Sequence, residues 1–478
     1  MLPTIDDAMP LAARTVDVHG SGVASRYAAA LLSHLGAQPR RLGGTDDEHP
    51  ALAWARSGLM ALTGARDAPP LMLAAPLASC ADGVVRALAA LGAQLPAGFA
   101  DGAALLAERA ARLGLQRNGA ISAGGSCRLL RSRDGMLAVG LARPDDWDAV
   151  PAWLDGAAVS DWDGLAHALR QRGSREWVQR ARLLGLPVAA AALPATGPAV
   201  GPWCRVRRHA ARRERRRSER PLVVDLSSLW AGPLCAQLLH QLGARVIKVE
   251  SMARPDGARR DARAGAAAFF DRLNAGKASV ALDFGHPPDV ARLRRLLQRA
   301  DIVIEAARPR ALRQLGIDAA QLLAERPGLS WIGLSGYGRE EPAANWVAFG
   351  DDAGVAGGLS ALLAATSGRG SGSGGGWAFC ADAVADPLTG LHAALAAWGA
   401  WRGGGGVLVD VALQRVVAHC AGFELPAEPQ ALAARARRWS ALAWSAGLAE
   451  QRPRAAPPGD AARALGADSA AVLDELAA

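Results

Sequence analysis

Four short segments of this chain hold residue types that suit a charged, activated ligand. Asp386 stands just ahead of the apolar stretch 388 to 400, after Cys380-Ala381-Asp382 and before Pro387. A carboxylate there is either a reactive group at a helix mouth or a plain N-cap, because Asp before Pro at the first helical position is a standard cap. Ala231-Gly232-Pro233 opens a helix after a strand-like run. That puts backbone N–H groups and the positive helix end where a phosphate could rest, although an ordinary strand-to-helix turn has the same form.

Of the 54 basic residues, only Lys248 and Lys277 are lysines. An ammonium point charge does not replace a guanidinium fork, so lysine in an arginine-dominated chain points to a requirement for the compact charge, with chance placement of two residues as the other reading. Lys277, after Asn274 and Gly276, is expected to offer its ammonium to a ligand phosphate; an exposed surface lysine is the other reading. Lys248 lies in a strand-like run beside Glu250, where a structural ion pair is expected.

The elements that must position these groups show in the hydrophobic pattern. LVVDL (222 to 226), ARVIKVE (244 to 250), SVALDF (279 to 284), DIVIEA (301 to 306) and LSWIGLSGYG (329 to 338) alternate with amphipathic helical stretches. Such alternation predicts βαβ units and a doubly wound, mostly parallel α/β sheet, which binds ligands outside the carboxyl ends of its strands. Residues 128 to 144 read as strands around an Asp134-Gly135 turn, so a smaller α+β domain is expected beside the sheet.

Composition narrows the class. The chain has 478 residues, enough for two or more domains, and half of them are hydrophobic without a run that would span a bilayer. The first twenty residues lack a basic head followed by an apolar run, so a cytoplasmic protein is expected, with no membrane partner. Six scattered cysteines have no metal-ligand spacing. The net charge of +9 is concentrated: residues 205 to 220 carry nine Arg and two Glu, a net of +7, leaving +2 for the rest. A nucleic-acid binder would spread its basic face and interleave aromatics, so no nucleic-acid partner is expected and the tract reads as a solvated linker.

Several motifs in order resemble family III CoA-transferases: LVVDLSSLWAGP with GARVIKVES, RPDGARR (254 to 260), FFDRLNAGKASVALDF, ADIVIEAARPRALRQLGID, LSGYGREEP and ADPLTGLHAALAA. The resemblance implies a CoA-transferase that moves CoA from an acyl-CoA thioester to a carboxylic acid acceptor, with coenzyme A as part of the substrate and no metal or redox cofactor. It implies that Asp386, four residues before Gly390, is the catalytic acyl-accepting carboxylate, with Asp382 the second choice. Ala231, Gly232, Pro233, Lys277 and Arg259 are then the expected CoA-binding residues. Ala306 and Gln314 depart from the family pattern, which leaves a catalytically impaired acyl-CoA-binding homologue as an alternative. An acyl-CoA racemase is a further one, disfavoured because GDDAG (350 to 354) offers Asp351 and Asp352 but no histidine.

Residues 77 to 93 superpose without gaps on 384 to 400, placing Gly83 on Gly390 and Ser79 on Asp386. Trp54 and Trp346 precede the two segments, and the Gly/Ser tract 367 to 376 accounts for most of the difference in spacing. Residues 126 to 154 resemble the family's small domain, and Pro457 to Leu476 its usual ending. The expected plan is therefore a leader at 1–50, a partial N-terminal copy at 51–200, an Arg-rich linker at 201–220, a catalytic core at 221–420 and tail helices at 421–478. Either a homodimer or a pseudo-dimer within one chain would complete it.

Overall fold

The computed structural model describes residues 9–44, 47–214, 219–367 and 376–477. The described residues of the expected leader, 9–44 and 47–50, are part of the packed structure. Strand β1 (Thr15–His19), helix α1 (Val23–His34) and strand β2 (Gln38–Leu42) form a βαβ unit whose two strands pair in parallel. Leu31, Leu32 and Leu35 are fully buried in the same core as Leu388 and Leu391. Helix α2 (Leu77–Ala90) packs on α1, and the short helix α3 (Glu108–Leu113) follows.

The expected small domain is present. Strands β3 (Cys127–Arg131) and β4 (Met136–Gly140) form a hairpin on the Asp134-Gly135 turn, and β5 (Val188–Ala190) pairs antiparallel with β4. Trp153 and Trp177 stack edge to face in its core at 5.8 Å.

Arg205–Arg208, placed by sequence in the linker, is strand β6 of the large sheet. It pairs antiparallel with β12 (Val407–Ala412), and buried Trp203 anchors its start. A strand reading Arg-Val-Arg-Arg suits a sheet edge, where outward charges discourage pairing with another chain. Residues 215–218 of the same tract lie outside the described residues.

The rest of the sheet is β7 (Leu222–Asp225), β8 (Arg245–Ser251), β9 (Ala278–Leu282), β10 (Ile302–Glu305) and β11 (Ser330–Ser335). The spatial order is β6-β12-β11-β10-β7-β8-β9, and all pairs but β6 with β12 are parallel. Strands β10 and β11 are buried almost throughout, as strands covered on both faces must be. The order reverses between β7 and β10, so a crevice opens there beyond the carboxyl ends. Helix α4 (Ala231–Gln241) follows β7, and α5 (Ala385–Arg402) crosses it. The chain's end covers the free edge of β9: Asp468 accepts from the Ser279 amide at 2.9 Å and the Ser469 hydroxyl from the Ala281 amide at 3.0 Å. Among the described residues no helix is long and apolar enough to cross a membrane.

Candidate active site

Strand β7 ends on Asp225, and the turn from Leu226 to Trp230 carries the chain into α4. A Cβ on Gly232 would fall 2.2 Å from the Ser227 hydroxyl oxygen, so glycine is what lets the turn fold onto the helix start. The two lysines hold this turn from inside. Lys277 donates to the Asp225 carboxylate (3.0 Å), the Pro233 carbonyl (2.9 Å) and the Asn274 side chain (3.1 Å), which uses all three of its protons. Lys248 donates to the Ser227 carbonyl (2.8 Å) and to Asp256 (3.0 Å).

The fold gives the expected CoA-binding residues partners within the protein. Lys277 is buried and its ammonium is satisfied within the protein; Ala231, Gly232 and Pro233 are buried as well. Arg259 forks onto Glu250 at 2.7 and 2.9 Å, donates to the Arg463 carbonyl and covers Phe270. These residues shape the ligand edge from behind it. The physical reason is that a buried carboxylate, Asp225 or Glu250, needs a cation partner more than an exposed edge needs a lysine.

In the crevice itself is a cavity of about 290 Å³, lined among others by Leu226, Ser228, Ser251, Arg254, Ala307 and Gln314. Glu305, at the end of β10, also lines it. One of its oxygens accepts from Trp331 (2.8 Å) and Arg339 (2.6 Å), while the other, Oε1, is buried without a partner among the described residues. Arg254 lines the cavity, with Arg308 and Arg310 on the segment after β10, and none of the three has an acidic partner within ion-pair distance among the described residues. Burial, reinforced by Arg310, by Arg143 of the small domain and by Arg254, holds the Arg308 guanidinium below its ordinary pKa. The sequence places these arginines inside family-like motifs but singles out none of them as a ligand contact, because arginine is everywhere in this chain.

Asp386 occupies the first turn of α5. The N-cap position is Val384, and no side chain caps this end, so the capping alternative for Asp386 falls away. Every residue from Ala378 to Trp401 is buried except Asp386. The Gly350 amide donates to its carboxylate, and a Cβ on Gly350 would lie 2.2 Å from its Oδ2 and 2.4 Å from the Ala383 carbonyl oxygen. Gly350→Ala is therefore expected to cost about 1–3 kcal/mol in urea unfolding, as overpacking of a closed site does.

Asp382 is fully buried and forks onto Arg109 of α3 at 2.6 and 2.8 Å, which leaves it no freedom to attack a ligand. Asp351 accepts from the Ala383 amide at 3.0 Å and from the Ser122 hydroxyl. Burial pushes Asp386 up to about 7, opposed by Arg109 and reinforced by Asp351 and Asp382. Burial likewise raises Asp351 to about 6, with Asp382 adding to it, and Asp352 to about 8. Ser79, the residue matched to Asp386 in the N-terminal segment, is buried in α2 with its hydroxyl unpartnered.

The chain is an α/β protein with a doubly wound, mostly parallel sheet, a cavity at its strand-order reversal and, in a separate buried helix, one partly exposed carboxyl. Residues 221–442, a little under half of the chain, match the model for CoA-transferase family III. It is similar to the succinyl-CoA–D-citramalate CoA-transferase of Chloroflexus aurantiacus, with 35% identity over 153 residues, 30% of this chain and 38% of that protein. It is 31% identical over 205 residues to the succinate–glutarate CoA-transferase of Agrobacterium fabrum, covering 40% of this chain and 49% of that protein. The human alpha-methylacyl-CoA racemase is 39% identical over 117 residues, covering 24% and 28%. The chain thus aligns with less than half the length of each of these relatives.

Proposed function

We propose that the protein is a CoA-transferase that moves CoA from an acyl-CoA thioester to a carboxylic acid through Asp386. The observation that carries this reading is that Asp386 alone reaches the surface in the buried stretch 378–401, within the family III segment.

The steps follow from carboxyl chemistry. A carboxylate oxygen of Asp386 attacks the thioester carbonyl, the C–S bond breaks, and CoA leaves as a thiolate, giving an aspartyl-acyl anhydride. The thiolate attacks the aspartyl carbonyl and releases the acyl group as a free acid, giving an aspartyl-CoA thioester. The acceptor carboxylate repeats the exchange in reverse, takes CoA and restores Asp386. Each step trades one activated carboxyl for another. Burial makes Asp386 a stronger base and nucleophile than a carboxylate in water, and the Gly350 amide fixes its orientation.

The cavity at the reversal point suits the nucleotide end of CoA. Glu305 Oε1 would accept from an adenine amino or ribose hydroxyl group, and Arg254 and Arg308 would face the phosphates. The turn 226–230 joins the two ends of such a ligand, since Leu226 and Ser228 line the cavity while Trp230 lies under Arg109 at 5.1 Å. Arg254→Ala and Arg308→Ala are each expected to weaken CoA binding about tenfold and to flatten its salt dependence, as titration calorimetry at two salt concentrations would show. Unchanged affinity in both would remove the cavity from the proposal.

Incubation with acyl-CoA and hydroxylamine tests the reaction: mass spectrometry should find a hydroxamate at position 386. Gln314 in the cavity wall and Ala306 beside it favour, as a second reading, a homologue that binds acyl-CoA without turning it over. Binding without any adduct across a panel of acyl-CoAs would select that reading.

A further inference from the structure

We infer that residues 15–113 are a decayed second copy of the transferase half, kept because Arg109 and its neighbours clamp the loop that carries Asp386. The inference rests on the reading of Asp386 as the nucleophile.

The duplication shows first in the chain. At a constant offset of 207, residues 16–42 superpose on 223–249 without gaps: Ala24 falls on Ala231, Leu31-Leu32 on Leu238-Leu239 and Leu35-Gly36-Ala37 on Leu242-Gly243-Ala244. In this register β1 lies on β7, α1 on α4 and β2 on β8. The helix crossings then agree atom by atom. A Cβ on Gly83 of α2 would meet the Ala24 carbonyl oxygen at 2.7 Å and the Tyr27 Cβ at 3.1 Å. A Cβ on Gly390 of α5 would meet the Ala231 carbonyl oxygen at 2.7 Å and the Leu234 Cβ at 3.0 Å. Ala24 and Tyr27 are the residues that the offset places on Ala231 and Leu234. Two separate sequence offsets thus meet in one helix-on-helix contact, which similarity of Ala/Leu helices alone would not produce. The tryptophans do not share this match: Trp54 lies inside the helix Pro50–Arg56, whereas Trp346 precedes the helix Gly350–Ala356. The Gly/Ser tract 368–375 lies outside the described residues.

The first copy has lost the means of reaction. Ser79 replaces the nucleophile, and its strands form a two-stranded sheet with no reversal point. The place beyond β1 is filled by Asp47, which accepts from the Ser25 amide at 2.8 Å and pairs with Arg86.

Its remaining task lies at the loop 379–383. Ala381 and Ala383 have φ of 57° and 42°, left-handed conformations that cost a non-glycine residue about 1 kcal/mol or more and persist only under external restraint. The restraint comes largely from the N-terminal side. The Phe379 amide donates to the Gly119 carbonyl (2.9 Å), the Ala381 amide to the Thr63 hydroxyl (3.1 Å), and Asp382 takes both arms of Arg109. From the catalytic half, Asp351 holds the Ala383 amide. Arg109 also sits on Trp230 and so ties this loop to the turn at the end of β7. The charged groups facing Asp386 are Arg109, Asp351 and Asp382, with Asp352 behind Asp351. Arg109 is therefore a positioning residue: it fixes the loop and supplies the positive charge that offsets three carboxyls.

Arg109→Gln, Arg109→Lys and Thr63→Val test this. Carbodiimide labelling of Asp386 across pH, read by peptide mass spectrometry against the exposed Asp460, reports its ionisation without any turnover. Arg109→Gln should move the half-labelling pH of Asp386 up by about one unit, and Arg109→Lys should restore most of it. Thr63→Val should slow hydroxamate formation severalfold while leaving the labelling midpoint in place. An unchanged midpoint and trapping rate in folded Arg109→Gln overturns the inference. If that variant does not fold, the inference is equally overturned when Thr63→Val and Arg109→Lys both behave as the parent protein. Absence of hydroxamate in the parent protein would refute Asp386 as nucleophile, while the labelling midpoints would still decide the role of Arg109.

Discussion

Asp386→Asn is expected to lower CoA transfer on the order of 10⁴-fold and, in the same protein, to raise the melting temperature above pH 7. Asparagine keeps the shape of the side chain and its contact with Gly350, so α5 and the loop before it stay in place. Its amide cannot form an anhydride, and removal of a covalent nucleophile leaves only binding and orientation to act. The stability gain comes from linkage. The folded-state pKa of Asp386, about 7, lies above its ordinary 3.8, so the folded protein binds more protons than the unfolded chain between those values. Stability from this group is therefore greatest at low pH and falls as pH rises through about 7, where a charge must be kept beside Asp351 and Asp382. The asparagine variant never carries that charge. The difference should grow between pH 4 and pH 7 and reach about 1–3 kcal/mol, reduced by the partial solvent access of the carboxyl. Transfer by the parent protein should rise over the same interval, because only the ionised carboxyl attacks. A variant that retains a tenth of the activity would show that another group is the nucleophile. A melting-temperature gap that does not widen with pH would contradict the buried setting.

Much of the architecture is legible because it is written in hydrophobic runs. β7 to β11 carry apolar stretches bounded by polar turns, and the hairpin around Asp134-Gly135 has a sequence that names its turn. β2 and β6 have no such signal: Gln-Pro-Arg-Arg-Leu and Arg-Val-Arg-Arg read as loop and charge tract, and only pairing with β1 and β12 makes them strands. The site is legible unevenly. Asp386 stands out only through its resemblance to a family motif, since an N-cap has the same local sequence; the fold puts the cap position at Val384 and so removes the capping alternative. Arg109 does not stand out at all. Its importance comes from a tertiary contact with a residue 273 positions away, and no local pattern separates it from the other arginines.

The sequence singles out Lys277 as a compact charge and expects a ligand phosphate as its partner, whereas the fold gives its ammonium Asp225, Asn274 and the Pro233 carbonyl, and this leads to the second large effect. Lys277→Met is expected to destabilise the protein by about 3–5 kcal/mol, the usual result of removing one member of a buried ion pair. Asp225 would be left fully buried with only the Ser227 groups and the more distant Lys248 to balance it. In the parent protein burial pushes the Asp225 carboxyl up, but Lys277, Lys248 and Ser227 outweigh it and hold the group below its ordinary range. Its contribution to stability is thus present above pH 3.8 and lost as pH falls through the lower folded value. Lys277→Arg should rescue little, because a planar guanidinium fork does not match three acceptors converging on one buried point. The double variant Lys277→Met with Asp225→Asn should recover part of the loss, since no uncompensated charge then remains. Urea unfolding of the three variants measures this. A Lys277→Met protein as stable as its parent but weaker in CoA binding would return the lysine to the ligand; the expected pattern, lost stability with CoA affinity per folded molecule kept, makes it the latch that sets the turn between β7 and α4.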